Sequence, residues 1–257
     1  MKAAELFDLS GQVALVTGAS SGLGVRFAEV LAANGASVAL VARRTERLAA
    51  VKDRIEQNGA RAVAIGADVL DHAGMRRAFD EAEAAFGTVT ILVNNAGVTH
   101  AGRAIELDEA EWRRVLSTNL DAVFFWAQEA ARRMIAAKKR GSIINIASIL
   151  SFGVDKGVIA YSVAKAGVVQ VTKGLALELA FRGVRVNAIA PGYVVTEINR
   201  DYLAAKGADI ARQVPAGRLG EERDLDGALL LLASDAGRLI NGATIVVDGG
   251  HMIGLRG

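Results

Sequence analysis

The amino-acid sequence predicts an α/β fold, a single domain over residues 1–257 built on a doubly wound parallel sheet of about seven strands with helices on both faces. Three observations predict it. Short runs rich in Val, Ile and Ala alternate with longer stretches of helical periodicity from end to end. Those runs are apolar throughout rather than at every second residue, as expected of parallel strands covered on both faces. Only two prolines, Pro191 and Pro215, interrupt the chain, and no repeat, low-complexity tract or linker divides it.

QVALVTG (12–18) reads as a buried strand, and GLGVRFAEVLAANG (22–35) as a helix closed by its glycine. SVALVA (37–42) is the second strand, followed by a charged helix over 45–58 that ends at Gly59. RAVAIGAD (61–68), a helix over 72–86 and TILVNN (90–95) continue the alternation. Two helices are expected over 109–116 and 119–138, then the strand SIINIAS (142–148) and a helix over 161–182. VRVNAIA (184–190), a helix over 223–233 and ATIVVD (243–248) complete the series. Parallel neighbours need long right-handed crossovers, and each helix supplies one. The stretch 192–222 breaks this rhythm and is expected to be a substrate-side insertion or lid.

Composition narrows the function. Hydrophobic residues make up 52% and charged residues 23%, the balance of a globular chain with a large core. The absence of cysteine excludes disulfides, thiol nucleophiles and zinc–thiolate sites. Thirty basic residues against 28 acidic ones give +2, with no basic tract interleaved with aromatics, so nucleic acid is not an expected partner. MKAAELFDLSGQ lacks the apolar core of a signal peptide, and Ala228 to Ala233 is far too short to span a membrane; the expected address is the cytoplasm.

Thr17-Gly18-Ala19-Ser20-Ser21-Gly22-Leu23-Gly24 joins the first strand to the first helix. Glycines there let the backbone turn tightly and approach a diphosphate, which the helix N-terminal amides stabilise. The spacing is GxxxGxG, and the plain alternative is a glycine-rich turn. Its place at the first strand–helix junction favours a Rossmann-type dinucleotide site.

Tyr161 and Lys165 stand four apart, so a helix brings them to one face. A phenol is a poor base at its usual pKa near 10, and a neighbouring ammonium favours its ionised form. Ser148, 13 residues earlier, can hold a carbonyl oxygen through its hydroxyl. The alternatives are a solvated helix pair and a turn cap.

Together TGASSGLG at 17–24, Asn94-Asn95-Ala96-Gly97, Ser148, Tyr161-Ser-Val-Ala-Lys165 and Pro191-Gly192 resemble the short-chain dehydrogenase/reductase family over essentially the whole chain. The resemblance is to 3-oxoacyl-carrier-protein reductases and to sugar-acid dehydrogenases of the gluconate type. It implies that Ser148, Tyr161 and Lys165 are catalytic, with Asn119 joined to the lysine through a water relay. It also implies cofactor contacts at Gly18, Ser20, Ser21, Gly22, Leu23 and Gly24, at Asp68 and Val69 beside the adenine, and at Asn95, Ala96 and Gly97. Pro191, Gly192, Val194 and Thr196 complete that set, with Tyr161 and with Lys165 on the nicotinamide ribose. Asn187 resembles a position that supports this architecture and takes no chemical role.

NADP(H) is the favoured cofactor, with NAD(H) the alternative. No Asp or Glu stands between Glu29 and Glu46 to bind a ribose 2′-hydroxyl, and the second strand is followed by Arg43 and Arg44. Guanidinium groups pair with a 2′-phosphate, and two cations at a helix start want an anion. By the resemblance, Arg43 holds the position that marks NADP use, although Ser21 is not basic.

The expected partner is a small carbonyl or secondary alcohol, lined by Ile149, Leu150, Phe152, Val154, Tyr193 and the insertion after Thr196. Arg103, Arg200 and Arg212 either meet a substrate carboxylate or face solvent. His72, His100 and His251 have no metal-ligand spacing and are expected at the surface, as are Arg132, Arg133, Lys138, Lys139 and Arg140 on a polar helix face and end. A non-catalytic dinucleotide sensor on the same fold is the remote alternative. The helix from Tyr161 to Phe181 is apolar around most of its circumference, which predicts a homo-oligomer, and the resemblance makes it a tetramer.

Overall fold

The computed structural model describes residues 2–253. After a short N-terminal helix, α1 (Ala3–Leu6), strands and helices alternate: β1 (Val13–Thr17), α2 (Gly22–Ala33), β2 (Ser37–Ala42), α3 (Thr45–Gln57), β3 (Ala62–Gly66), α4 (His72–Phe86) and β4 (Ile91–Asn94). The second half continues with α5 (Glu109–Leu116), α6 (Ala122–Ala136), β5 (Gly141–Ile146), α7 (Ile159–Leu179), β6 (Val184–Pro191), α8 (Arg200–Gln213), α9 (Asp226–Ala233) and β7 (Thr244–Val247). The seven strands form one sheet in the order β3-β2-β1-β4-β5-β6-β7, every pair parallel.

Side chains of each strand alternate between two cores. Ala14 and Val16 of β1 face Phe27 and Leu31 of α2, Leu48 of α3 and Leu229 of α9. Val13 and Leu15 face the opposite layer, with Phe79 of α4, Trp126 and Met134 of α6 and Ala176 of α7. Both layers exclude water from the strands, which is why their sequences are apolar without alternation. The order reverses between β1 and β4, so the carboxyl ends of those strands open a crevice outside the sheet, where ligands of this architecture bind.

Four sequence expectations need correction. The two helices expected at 109–116 and 119–138 are one continuous rod, joined by a π-helical turn over Ser117–Asp121. Ser148 does not end a strand: β5 stops at Ile146, and Ser148 caps a single 3₁₀ turn, Ile149–Ser151, accepting the Leu150 N–H at 3.1 Å. The helix expected from 223 begins at Asp226, after a 3₁₀ turn over Glu222–Leu225. Arg133 is no solvated residue, for it lies over the Phe79 ring and donates to Glu129, Asp80 and Glu83 at 2.7 to 2.9 Å, tying α6 to α4.

The insertion is more ordered than a loop. It contains α8, which buries Leu203, Gly207 and Ile210. Its two ends are stitched together where Val195 N–H donates to Gly220 O at 3.1 Å and Gly220 N–H to Tyr193 O at 2.9 Å. Among the described residues, no helix is long and apolar enough to cross a membrane.

Candidate active site

The phosphate loop is shaped by contacts that only glycine permits. A Cβ on Gly18, whose φ is +68°, would stand 2.8 Å from Ala96 Cα, and one on Gly24 would stand 2.3 Å from Gly18 O. This close packing is fastened from the neighbouring strand. Thr17 Oγ1 accepts the backbone N–H groups of Asn95 and Ala96 at 3.0 and 3.2 Å, and Asn95 Nδ2 donates to the carbonyls of Thr17 and Gly18. Ser21, the N-cap of α2, makes no capping bond. Its hydroxyl accepts Arg44 Nη2 at 2.7 Å instead, while Ser20 Oγ accepts Arg44 Nε and Nη2. The first-turn amides of α2 are thus left for an anion, beside a guanidinium. These features fit a dinucleotide diphosphate.

Arg43 and Arg44 separate in role. Both are exposed; Arg44 lies across the loop, whereas Arg43 stands 3.7 Å from the Asp68 carboxylate. Asp68 holds its own turn by accepting the Leu70 N–H at 3.0 Å, and Val69 O accepts the Trp126 indole N–H at 3.0 Å. Asp68 thus stands beside Arg43, and Val69 is tied to α6 through Trp126. On the far side of the crevice, Gly192 N–H donates to Val247 O, and a Cβ there would stand 2.8 Å from that of Asp248. Val194 is buried, and Thr196 packs against Gly22.

Ser148, Tyr161 and Lys165 are brought together at the ends of β5 and the start of α7. The Ser148 hydroxyl stands close to the Tyr161 phenol. Burial pushes that phenol up, and the neighbouring serine hydroxyl opposes the shift. Lys165 is 4% exposed, its Nζ 5.6 Å from the Tyr161 ring centroid and donating to Ile146 O at 2.6 Å. Burial brings the ammonium down to about 8. Ser151 steadies the pair by donating to Lys165 O at 2.8 Å and accepting the Ser148 N–H at 3.3 Å.

The lowered pKa of Lys165 has a measurable consequence for stability. In the unfolded chain this lysine keeps its proton to its ordinary 10.5, so between about pH 8 and that value the unfolded state binds more protons. Its contribution to stability therefore rises with pH across that window. Against a Lys165→Met variant, the wild type should gain up to about 3 kcal/mol between pH 8 and 10.5. Urea unfolding of both proteins at several pH values measures it, and a difference independent of pH would contradict the burial assigned to this group.

Asn119 sits in the π-helical turn, fully buried. Its Oδ1 accepts the Val98 N–H at 2.8 Å and its Nδ2 donates to Val98 O at 2.7 Å, which fixes the strand exit carrying Asn95 to Gly97. π-turns recur at functional sites because they break helical register locally. Asn187 likewise braces structure, donating to Ile240 O and accepting the Ala243 N–H before β7.

Several contacts join residues that lie far apart in sequence. Asn94 donates to Asn145, and Asn145 to Thr172, a polar thread between sheet and α7 that is satisfied throughout and buried. Arg47 and Glu197 pair at the edge of the phosphate loop, 150 residues apart in sequence. His251 departs from its expected surface role: its ring lies 5.7 Å from Tyr193, and its Nδ1 is buried without a hydrogen-bond partner among the described residues. His100 pairs with Glu111 at 2.9 Å, and His72 meets the Phe125 ring edge-on. Arg103 and Arg212 pair with Glu106 and Asp209 on their own segments, and Arg200 is exposed. Among the described residues no group of three acidic or histidine side chains could hold a metal.

A protein-family model described as short chain dehydrogenase matches residues 12–207. The chain belongs to the short-chain dehydrogenase family. The 3-oxoacyl-acyl-carrier-protein reductase of Escherichia coli is 39% identical to this dehydrogenase over 243 residues, 95% of this chain and 98% of the relative. The 2-dehydro-3-deoxy-D-gluconate 5-dehydrogenase of the same organism is 41% identical over 251 residues, 96% and 97% of the two chains. A crystal structure of a gluconate 5-dehydrogenase from Burkholderia cenocepacia, in complex with NADP and tartrate, superposes with a TM-score of 0.94 at 38% identity. It covers 99% of this chain and all of its own. This short-chain dehydrogenase is an NAD(P)-dependent oxidoreductase.

Proposed function

We propose that this short-chain dehydrogenase moves a hydride between NADP(H) and a carbonyl or secondary alcohol, with Tyr161 as the general acid and base. The juxtaposition of Ser148, Tyr161 and Lys165 at the carboxyl edge carries the reading. When bound, the nicotinamide supplies or accepts the hydride. Tyr161, kept protonated by burial, gives its proton to the forming alkoxide during reduction and takes it back during oxidation. Ser148 donates its single hydroxyl hydrogen to the substrate oxygen as charge develops there. Lys165, charged below about pH 8, favours the phenolate and holds the ribose. With the Asn119 side chain committed to Val98, a water relay to Lys165 would start from its main chain.

Support for NADP(H) comes from Arg43 and Arg44 after β2, from the lack of an acid there, and from the NADP-bound relative. Wild type should favour NADPH over NADH at least tenfold in kcat/KM, and Arg44→Ala should erase most of that preference. Steady-state rates with both cofactors measure it, and equal efficiencies in the wild type would overturn the assignment. At the mouth of the site, Tyr193 donates to Asp155 at 3.2 Å and stacks on Tyr202. With the unpaired His251 nitrogen, this polar group supports a hydroxylated substrate of the sugar-acid class. The exposed Phe152 and Val154 support a second reading, a 3-oxoacyl thioester.

Assembly into a homotetramer is part of the proposal. Val163 and Leu177 of α7 and Phe181 in the 3₁₀ turn after it are left in solvent, Leu177 at 81% and Phe181 at 78% exposure, and Phe125 of α6 is also exposed. Edge strand β7 exposes Val246 as well. Such faces want a partner. Light scattering should give about four times the 26.8 kDa chain mass, and a monomer at micromolar concentration would refute it.

A further inference from the structure

The insertion 192–222 begins beside the phosphate loop. Thr196 touches the phosphate loop at Gly22, and Glu197 opens a 3₁₀ turn, Glu197–Asn199, that reaches the N-terminal end of α3. There both carboxylate oxygens of Glu197 accept from Arg47 Nη1, at 2.9 and 2.7 Å, and one stands 3.9 Å from Arg44 Nη1. Arg44 is the guanidinium that also donates to Ser20 and Ser21 of the loop. Arg47 beside it holds the Glu197 carboxyl below the usual carboxylate range, so it is anionic at neutral pH. The chain thus places an anion of its own against the arginine cluster.

We propose that Glu197 is an internal competitor for the cofactor's 2′-phosphate, pairing with Arg44 and Arg47 until a 2′-phosphate takes its place. The inference rests on the NADP(H) reading above. Two anions cannot share these guanidinium groups without mutual repulsion, so phosphate binding has to displace the carboxylate. A ribose 2′-hydroxyl carries no charge and leaves Glu197 where it is. The affinity for NADP(H) is therefore set by the difference between two pairings, whereas the affinity for NAD(H) is not. Because Glu197 lies within the insertion, the same exchange loosens a tether between the insertion and α3.

Adenosine 2′,5′-bisphosphate and adenosine 5′-monophosphate isolate this end of the cofactor, and calorimetry at low ionic strength measures both on the wild type and on Glu197→Gln. Low salt matters because these exposed pairs are screened. Removing the charge should tighten the bisphosphate three- to tenfold and change the monophosphate less than twofold. A wild-type preference for the bisphosphate that the substitution leaves unchanged overturns the competition alone. Equal tightening of both nucleotides also overturns it, because the effect would then lie at the 5′-phosphate. Parity of the two nucleotides in the wild type and in the variant overturns the cofactor reading, and the competition with it.

Discussion

Replacing Tyr161 by phenylalanine should lower kcat by about a thousandfold or more, while the dissociation constant for NADP(H) moves less than about threefold. The phenyl ring keeps its place beside Lys165 and its packing at the head of α7, so only the hydroxyl that faces Ser148 is lost. Without it, no group in contact with the substrate oxygen carries a transferable proton, because Ser148 is a far weaker acid and Lys165 is engaged with Ile146 O. Cofactor titration by nucleotide fluorescence separates binding from turnover. A Phe variant that keeps wild-type kcat would place proton transfer elsewhere, and one that loses cofactor binding in step with kcat would make Tyr161 a structural residue.

A second large effect is expected at Gly24. An alanine methyl would stand 2.3 Å from Gly18 O and 2.6 Å from Asn95 Nδ2, and the nearest of these is a backbone atom that cannot swing aside. The clip between the phosphate loop and the β4 exit has to open, at about 1–3 kcal/mol of stability. The loop amides then lose their aim at the diphosphate, and KM for the cofactor should rise by roughly ten- to a hundredfold, the equivalent of about 1.4–2.8 kcal/mol. Gly227 provides the comparison, since a Cβ there meets nothing within 4 Å and alanine should leave KM unchanged. Thermal melts and cofactor KM for the two variants test it; equal behaviour of Gly24→Ala and Gly227→Ala would show that the loop is more pliant than this packing implies.

The strands were legible because each is apolar on both faces, and the helices because one face of each is not. Local pattern says nothing, however, about partners far along the chain. Arg133 follows Arg132 in a helix rich in charge, so it reads as solvated, yet Asp80 and Glu83 approach it from α4, some 50 residues away. Asn145 alternates with isoleucines in β5, and its bonds to Asn94 and Thr172 exist only once the sheet and α7 are packed. The π-helical turn at 117–121 has no proline or glycine to announce it, and an ordinary helical period runs through it. Helix α8 buries only Leu203, Gly207 and Ile210 within a polar stretch, too narrow a stripe to distinguish from a lid. At the site, the phosphate loop and the Tyr161–Lys165 spacing stand out in sequence because neither depends on distant residues. Which arginine meets the loop does depend on them: the strand end points to Arg43, whereas Arg44 reaches Ser20 and Ser21.

Two features bear on the substrate and the cofactor, the polar cluster of Tyr193, Asp155 and His251 and the arginine that meets the phosphate loop. The proposal made from them is a reaction that couples NADP(H) to a hydroxylated substrate. Initial rates at 340 nm, with NADP or NAD against a panel of sugar acids, polyols and 3-oxoacyl thioesters, test that most directly. Turnover should be fastest with an NADP-linked sugar acid or its keto form, and should disappear in Tyr161→Phe. Turnover confined to NAD, or an unchanged rate in the Phe variant on the best substrate, would contradict it.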